Sequence, residues 1–445
     1  MASAKLTRTF SAGNRKTFTF SAWVKRNGTG TDYEGICIAS GGDEGIFFKD
    51  HGIAFFINGA AQRNTTRVFR DIHAWYHFVL AVDTTQATAA DRVKFYVNGV
   101  QETLYNNSNY PTQNSDGLFN NNAGTHVIAG HSTQSYFLDG EMAHVHYVDG
   151  TAYTPTTFGE TDATTGIWKP KTSPTVTYGT NGFFLKFDNS ANMGLDSAGS
   201  NNLTTSGTII QNKDTPSNVF ATLNLYAFTE DGLSNTVFKN GSTTFDSNET
   251  GSGVYTTSFS TLGVSSGKYY CEYKTTQASG DGVMAIGIGE GDGFESYFGG
   301  GTNSVIYMGD TGQYRKGGSD TSYGNTFTVN DIIGVALDLD NNKLYFSKNG
   351  TWQNSGDPTS GSTGTGAISI SAASATSTGF YFFGIGDKSS GGTCEVSVNF
   401  GNGYFGTTAV SSAQNPDDGN GIFEHDVPAG YRALCTKSIN AEEYS

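Results

Sequence analysis

Apolar residues recur at every second position along most of the chain, the period of a strand with one buried face. TFTFSAWVK sets Phe18, Phe20, Ala22 and Val24 on one side, and VKFYV does the same with Val93, Phe95 and Val97. Half-buried antiparallel strands are predicted at both. WYHFVLAVD differs, because Tyr76, Phe78, Leu80 and Val82 are matched on the opposite face by Trp75, Val79 and Ala81. A central strand covered on both sides is predicted there. Runs of this kind lead into Asn58-Gly59, Asn98-Gly99 and Asn349-Gly350, and Asn-Gly accepts positive φ at both centres of a type I′ hairpin turn. No helix-length amphipathic period occurs, so an all-β chain is predicted.

The strand rhythm breaks at IWKPKTSPT, residues 167–175, and again at NKDTPSN, residues 212–218. Between the breaks FFLKFDN reads as one more strand, followed by the polar GLDSAGSNNLTTSG. The expected organisation is a first sandwich over 1–170, a connecting segment over 171–218 packed on it, and a second sandwich over 219–445. The second half carries KYYCEYK, GVMAIGIG, DIIGVALDLD, KLYFSK, GFYFFGIG and CEVSVNF. Residues 354–378, almost wholly Ser, Thr, Gly and Ala, are expected to form a long exposed loop around one strand, AISIS.

Composition narrows the class. The 59 glycines indicate many turns, while 31 Phe, 23 Tyr and 4 Trp supply too much apolar surface for a disordered chain. The formal net charge of −15, with no block of Lys or Arg, argues against nucleic acid or an anionic membrane as partner, because counterion release needs clustered cations. The first residues lack the apolar core of a signal peptide, and no apolar run is long enough to span a bilayer, so membrane insertion is not expected. Cys37, Cys271, Cys394 and Cys435 show no metal-site or disulfide spacing. They read as free thiols, with Cys271 and Cys394 on apolar strand faces.

Four patterns invite a chemical reading. Glu290, Asp292 and Glu295 spell E-x-D-x-x-E, the arrangement of glycosidases that hold paired carboxylates about 5–5.5 Å apart. Glycines at 287, 289, 291 and 293 place these acids in a loop instead of a strand interior. Gly263-Val264-Ser265-Ser266-Gly267 matches G-x-S-x-G, but a strand follows where the nucleophile elbow needs a helix. Asp338-Leu339-Asp340-Asn341-Asn342 opens like a calcium loop, yet Lys343 and Asn349 stand where glycine and a bidentate acid are required, so a hairpin turn is expected. His144-x-His146 sets two imidazoles on one strand face, and without a third ligand they are expected to face solvent or to be satisfied by hydrogen bonds.

FTFSAWVKR, AWYHFVLAVDTT, DRVKFYVNGV and YFLDGEMAHVHYVDG resemble, in order, the strands of the laminin G-like, concanavalin-type jelly roll. GKYYCEY, YGNTF, NDIIGVALDLDNNKLYFSKNGTW and VSVNFGNG are similar to the SPRY pattern, with Cys271 where relatives carry Trp. The resemblance implies two antiparallel β-sandwiches, a laminin G-like jelly roll followed by a SPRY-type sandwich. TAYTPTTFGETDATTGIWKPK, GLDSAGSNN, DTPSNVFATLN and VPAGYRALCTKSIN join them in an order that looks like virion proteins of marine tailed phages. That likeness implies a non-enzymatic structural and binding component of a virion, made in the host cytoplasm: a tail fibre tip, appendage or capsid decoration. The implied partners are other virion proteins and a host-surface glycan or receptor, and a homo-oligomer is expected.

Alternative readings are a polysaccharide-degrading glycoside hydrolase and an intracellular SPRY-type adaptor. SPRY relatives contact partners through loops, so Asp292, Phe294 and Tyr297, with Tyr314 and Arg315 of MGDTGQYRKGG, are the candidate partner-binding residues. No cofactor is required by this reading. Laminin G-like relatives sometimes hold Ca²⁺ at the sandwich rim, which makes Asp83, Asp139 and Asp149 candidate donors at strand ends.

Overall fold

The computed structural model describes residues 4–28, 33–39, 44–57, 61–121, 123–224, 236–247, 256–279, 284–292, 297–387 and 393–443. Backbone contacts divide the chain into two units, Met1–Gln211 and Asn212–Ser445.

The first unit is a sandwich of an eight-stranded and a six-stranded antiparallel sheet. The six-stranded sheet runs in the order Phe183–Leu185, Gly140–Asp149, Thr17–Arg26, Tyr76–Asp83, Val93–Val97 and Val100–Gln101. Phe18, Phe20, Ala22 and Val24 enter the core with Phe78, Leu80, Val82, Val93, Phe95 and Val97. Ile46, Phe48, Phe55 and Ile128 of the eight-stranded sheet meet them there, as the alternation predicts. Tyr76–Asp83 is covered on both sides, since Val79 packs outward against Val148 and Phe158.

The two breaks fall differently from expectation. Trp168–Pro170 is itself a strand, paired with Gly159–Thr161. Phe183–Leu185 and Thr204–Ser206 add edge strands to the two sheets of the first unit. Residues 212–218, expected to belong with the first sandwich, fall in the second unit. There the Asn218 side chain accepts from the Lys437 N–H, and the next residue, Val219, donates to the Thr436 hydroxyl. This hydrogen bonding to a segment more than 200 positions away leaves no trace in local pattern.

In the second unit a nine-stranded sheet centres on Lys268–Ser279, Ile332–Asp338 and Thr393–Asn399. Facing it is a six-stranded sheet ordered Thr256–Phe259, Phe382–Asp387, Met284–Gly289, Val305–Met308, Gln313–Lys316, Ser319–Ser322. Cys271 and Cys394 lie in the core between the sheets, and all four cysteines are buried and free. Residues 354–378 form the expected mostly exposed connection around one strand within AISIS, but they also send side chains into the core. Ile368–Ser369 pairs with Lys343–Lys348, and Ile368, Ile370 and Ala373 enter the core. Sparse apolar residues spaced by serine and threonine suffice here, because the small polar side chains satisfy their own backbone, as where the Ser360 hydroxyl accepts from the Thr365 N–H. One short helix, Thr436–Glu443, also escapes the sequence reading. Its TKSINAEE sequence has little amphipathic signal, and Ile439 alone carries a branched apolar side chain to the core.

Two predicted hairpin turns are present: φ is 49° and 83° at Asn98-Gly99, and 48° and 79° at Asn349-Gly350. Asn58-Gly59 lies outside the described residues. Asn98 does more than turn the chain, because its Oδ1 accepts from the His77 N–H at 2.8 Å. Replacing Asn98 and Gly99 by valine forces β-branched residues into positive φ and removes that acceptor. The expected cost is about 1–3 kcal/mol of first-unit stability, read as a lowered melting transition. An unmoved transition would show that the turn is not what holds this hairpin.

Candidate partner-binding surface

Antiparallel register brings three connections to one end of the six-stranded sheet of the second unit. Gly289 pairs with Phe382, Ile288 with Val305, Val305 with Lys316, and Lys316 with Ser319. Residues 290–292 and 297–304, the turn 317–318 and the connection 370–381 therefore emerge side by side. Beneath them the outward sheet face carries glycine where most strands carry side chains. Cβ atoms built on Gly289 and Gly384 would stand 2.7 and 2.6 Å from the rings of Phe259 and Phe298. Those rings meet edge to face at 5.2 Å and pack with Ala285, Ile306 and Met308. The glycines are what let the aromatic rings lie on the sheet, and this small apolar layer seats the loop that follows Gly289.

Arg315 leaves its strand on this outer face. Its guanidinium forks onto Asp320 at 2.5 and 2.8 Å and lies 5.9 Å from the centroid of the Tyr297 ring. The two-residue turn Gly317-Gly318, with φ of 55° and 74°, fixes the pairing of Arg315 with Asp320. A planar fork held by a carboxylate beside a phenol ring is a preorganised contact for a polar or aromatic partner. Tyr314 corrects the sequence expectation. Alternation sends it to the opposite face, where it packs on the core and meets Tyr323 edge to face at 5.9 Å. Phe294, like Glu295, lies outside the described residues.

The acids of the loop serve the loop. Glu290 accepts from the Asn303 side-chain amide at 2.7 Å and from the Ser377 N–H at 3.1 Å, and the Ser377 hydroxyl donates to Asp292. Asn303 also donates to the Ala375 carbonyl at 3.0 Å. Glu290, Asp292 and Asn303 thus lace their stretch of the surface to the 370–381 loop. That second loop, with Phe380 42% exposed just before the strand Phe382–Asp387, is the part of the surface the sequence reading missed. One signal was available in the chain: a two-residue Gly-Gly turn pairs positions five apart, which names Asp320 as the partner of Arg315. Ser265 sits in a tight turn before Gly267 at φ 79°, and the strand Lys268–Ser279 follows directly.

The candidate calcium donors do not converge. Asp139 and Asp149 flank the two ends of Gly140–Asp149, about 30 Å apart at the rise of a strand. Asp149 is buried and already accepts from the Asn14 N–H at 2.8 Å and from Asn181 through its N–H and amide at 3.2 Å each. Asp83 accepts from Thr85 and Gln86 at 2.6 Å. Although partial burial would raise its pKa, these donors hold the carboxyl below its usual range. Among the described residues no group of three or more His, Cys, Asp or Glu is arranged to hold a metal.

Comparison with known proteins agrees with this architecture. The family profile described as the concanavalin A-like lectin/glucanases superfamily matches residues 2–157, and that of the SPRY domain matches residues 268–368. Over 86 residues the chain is 37% identical to Ran-binding protein 9 of Danio rerio, a stretch amounting to 19% of this chain and 14% of that protein. The chain thus spans only 14% of the length of that relative. The SPRY domain of human HERC1 aligns at 16% identity with a TM-score of 0.31, covering 40% of this chain and 96% of that domain. A candidate carbohydrate binding protein from Bacteroides ovatus aligns at 17% identity with a TM-score of 0.35, covering 47% of this chain and 57% of its own. The chain joins a laminin G-like, concanavalin-type sandwich to a SPRY sandwich. Among the described residues no helix is long and apolar enough to cross a membrane.

Proposed function

We propose that this protein binds without catalysis, gripping a protein or glycan partner through the loop end of its SPRY sandwich as a structural component of a phage particle. The observation that carries the binding reading is the Tyr297, Arg315 and Asp320 cluster, seated on an aromatic layer over a glycine-lined sheet. Such rigid seating lowers the ordering cost of binding, and tyrosine and arginine are the residues that concentrate binding energy. The non-catalytic reading is supported by the use of Glu290 and Asp292 as loop tethers, which leaves neither placed to act as acid or nucleophile across a cleft. The virion setting is supported by the resemblance of the joining segments to marine phage proteins. In that setting the partners are a host-surface glycan or receptor and other virion proteins, and a homo-oligomer supplies avidity.

The test compares wild type with Arg315→Ala and Tyr297→Ala on a glycan array and on purified host envelopes, with released reducing ends measured in parallel. Each variant is expected to bind about tenfold more weakly or worse, with no saccharide released. Release by the wild type that a Glu290→Gln variant lacks would establish the hydrolase reading instead. Antibody labelling of purified particles decides the setting. Unlabelled particles would favour an intracellular adaptor, the reading that the similarity to Ran-binding protein 9 supports.

A further inference from the structure

The outward face of the six-stranded sheet in the first unit is covered by residues 151–178, most of which lie beyond the laminin G-like match ending at residue 157. The cover is pinned at both ends. The Thr19 hydroxyl donates to the Thr151 carbonyl at 2.7 Å and accepts from the Tyr153 N–H at 2.8 Å, and the Tyr178 carbonyl accepts from the Asp149 N–H at 2.9 Å. Between these pins the hairpin of Gly159–Thr161 and Trp168–Pro170 meets the sheet through Trp168 and the neighbouring Phe158.

Two histidines form the fastening. Trp168 donates its indole N–H to Nδ1 of His77 at 3.0 Å, and Nε2 of His77 lies 2.9 Å from the Ser21 hydroxyl. An indole nitrogen can only donate, so Nδ1 must keep its lone pair and the ring must be neutral with its proton on Nε2. The same tautomer shows that His77 is donor, not base, toward Ser21. His146 is stacked 4.1 Å from Phe184, with Nδ1 2.8 Å from the Tyr178 hydroxyl and Nε2 buried without a partner. Neither cation is accommodated: at His77 the added proton would face the Trp168 N–H, and at His146 both nitrogens would carry protons, of which the one on Nε2 is buried with no acceptor.

We propose that residues 151–178 form an acid-released cover, latched by hydrogen bonds and packing that His77 and His146 support only while neutral. The titratable groups that bear on the two rings are other histidines. His144, in the bulge at φ 47° between the paired residues Ala143 and His146, bears on both rings, and Lys186 bears on His144. On the hairpin, Asp162 is engaged by Lys169 at 2.6 Å with Glu160 nearby, Lys171 donates to the Thr156 carbonyl, and Asp196 bears on Tyr178. Burial first, and His144 second, push the His77 pKa down to about 3 and hold His146 well below its usual value. Opening returns both rings to ordinary values near 6.5, so each proton taken up raises the opening constant about tenfold per pH unit below that point. Of the two expectations for strand histidines, facing solvent or being satisfied by hydrogen bonds, His77 and His146 follow the second, and their burial is what makes them responsive.

Hydrogen exchange of the full chain, corrected for intrinsic rates, tests this directly. Between pH 6.5 and 5.5 the amides of 159–170 are expected to open about five- to thirtyfold more, for one or both rings taking up a proton, while those of 76–83 stay protected. His77→Gln keeps an acceptor for Trp168 and a donor for Ser21 but cannot titrate, and should lose about fivefold of the response. Trp168→Phe, which removes the donor and leaves the histidine, should open the hairpin already at neutral pH and serves if the glutamine variant folds poorly. Parallel loss of protection in 159–170 and 76–83, an unchanged hairpin in acid, or a wild-type response in both variants would overturn the proposal.

Discussion

A Gly287→Ala substitution is expected to destabilise the second unit by more than about 4 kcal/mol, a large share of the 5–15 kcal/mol that typically separates folded from unfolded domains. Gly287 sits mid-strand between Ile306 and Gly384, and a Cβ built on it would stand 1.9 Å from the Val305 carbonyl oxygen and 2.9 Å from the Ile306 Cα. Both obstacles are backbone, so no side chain can swing aside, and the Val305–Met308 strand itself would have to move. The opposing effect, a stiffer unfolded chain, is worth only about 0.4–1 kcal/mol. Calorimetry should show the second-unit transition lowered or lost and the first-unit transition unchanged. A second-unit transition at or above wild type would mean that the strands are not this close.

Glu272 is expected to make the second unit less stable as pH rises, opposite to the usual behaviour of a hydrogen-bonded carboxylate. It is fully buried, and its two oxygens accept from the Glu424 and His425 N–H groups at 2.8 Å each, with Tyr270 donating to it at 3.1 Å. These bonds hold the C-terminal segment whose Phe423, Tyr431 and Ala433 pack on Tyr270, Ala336 and Tyr345. Burial outweighs the donors and raises the Glu272 pKa to about 7. A raised folded-state value means that the stabilisation is complete below the unfolded value near 4.5 and is lost as pH climbs through 7. At 1.36 kcal/mol per unit this amounts to about 3 kcal/mol. Denaturant unfolding of wild type and Glu272→Gln should diverge at pH 5 and converge toward pH 8, because glutamine cannot titrate and offers one acceptor to two donors. Equal pH slopes for the two proteins would refute the assignment.

The candidate surface was partly legible in the chain. Gly-rich loops bearing Tyr297 and Arg315 stand out among strands, and the Gly317-Gly318 turn fixes the Asp320 pairing arithmetically. Asp292 was correctly placed in the loop, but its bond to Ser377 spans 85 positions and could not be read locally. Tyr314 failed because one residue of register reverses the face of a strand, and where this strand began was not visible from its polar neighbours. Asp83, Asp139 and Asp149 failed as a set because lying at a strand end does not say which end of the sandwich that strand reaches.

What the sequence determined by itself follows from local physics. Period-two alternation dictates strands, matched faces on WYHFVLAVD dictate a covered centre, and Asn-Gly dictates turns, since each depends on residues within a few positions of one another. Only the tertiary structure decided that Trp168 would reach His77 across 91 positions, that Glu272 would hold a segment 152 positions away, and that bare glycines at 289 and 384 would become a seat for phenylalanine rings. Each of these couples groups that become neighbours only after the sheets have formed. Burial then changes their chemistry, keeping His77 neutral and lifting Glu272, because a charge removed from water must find a partner or give up its charge.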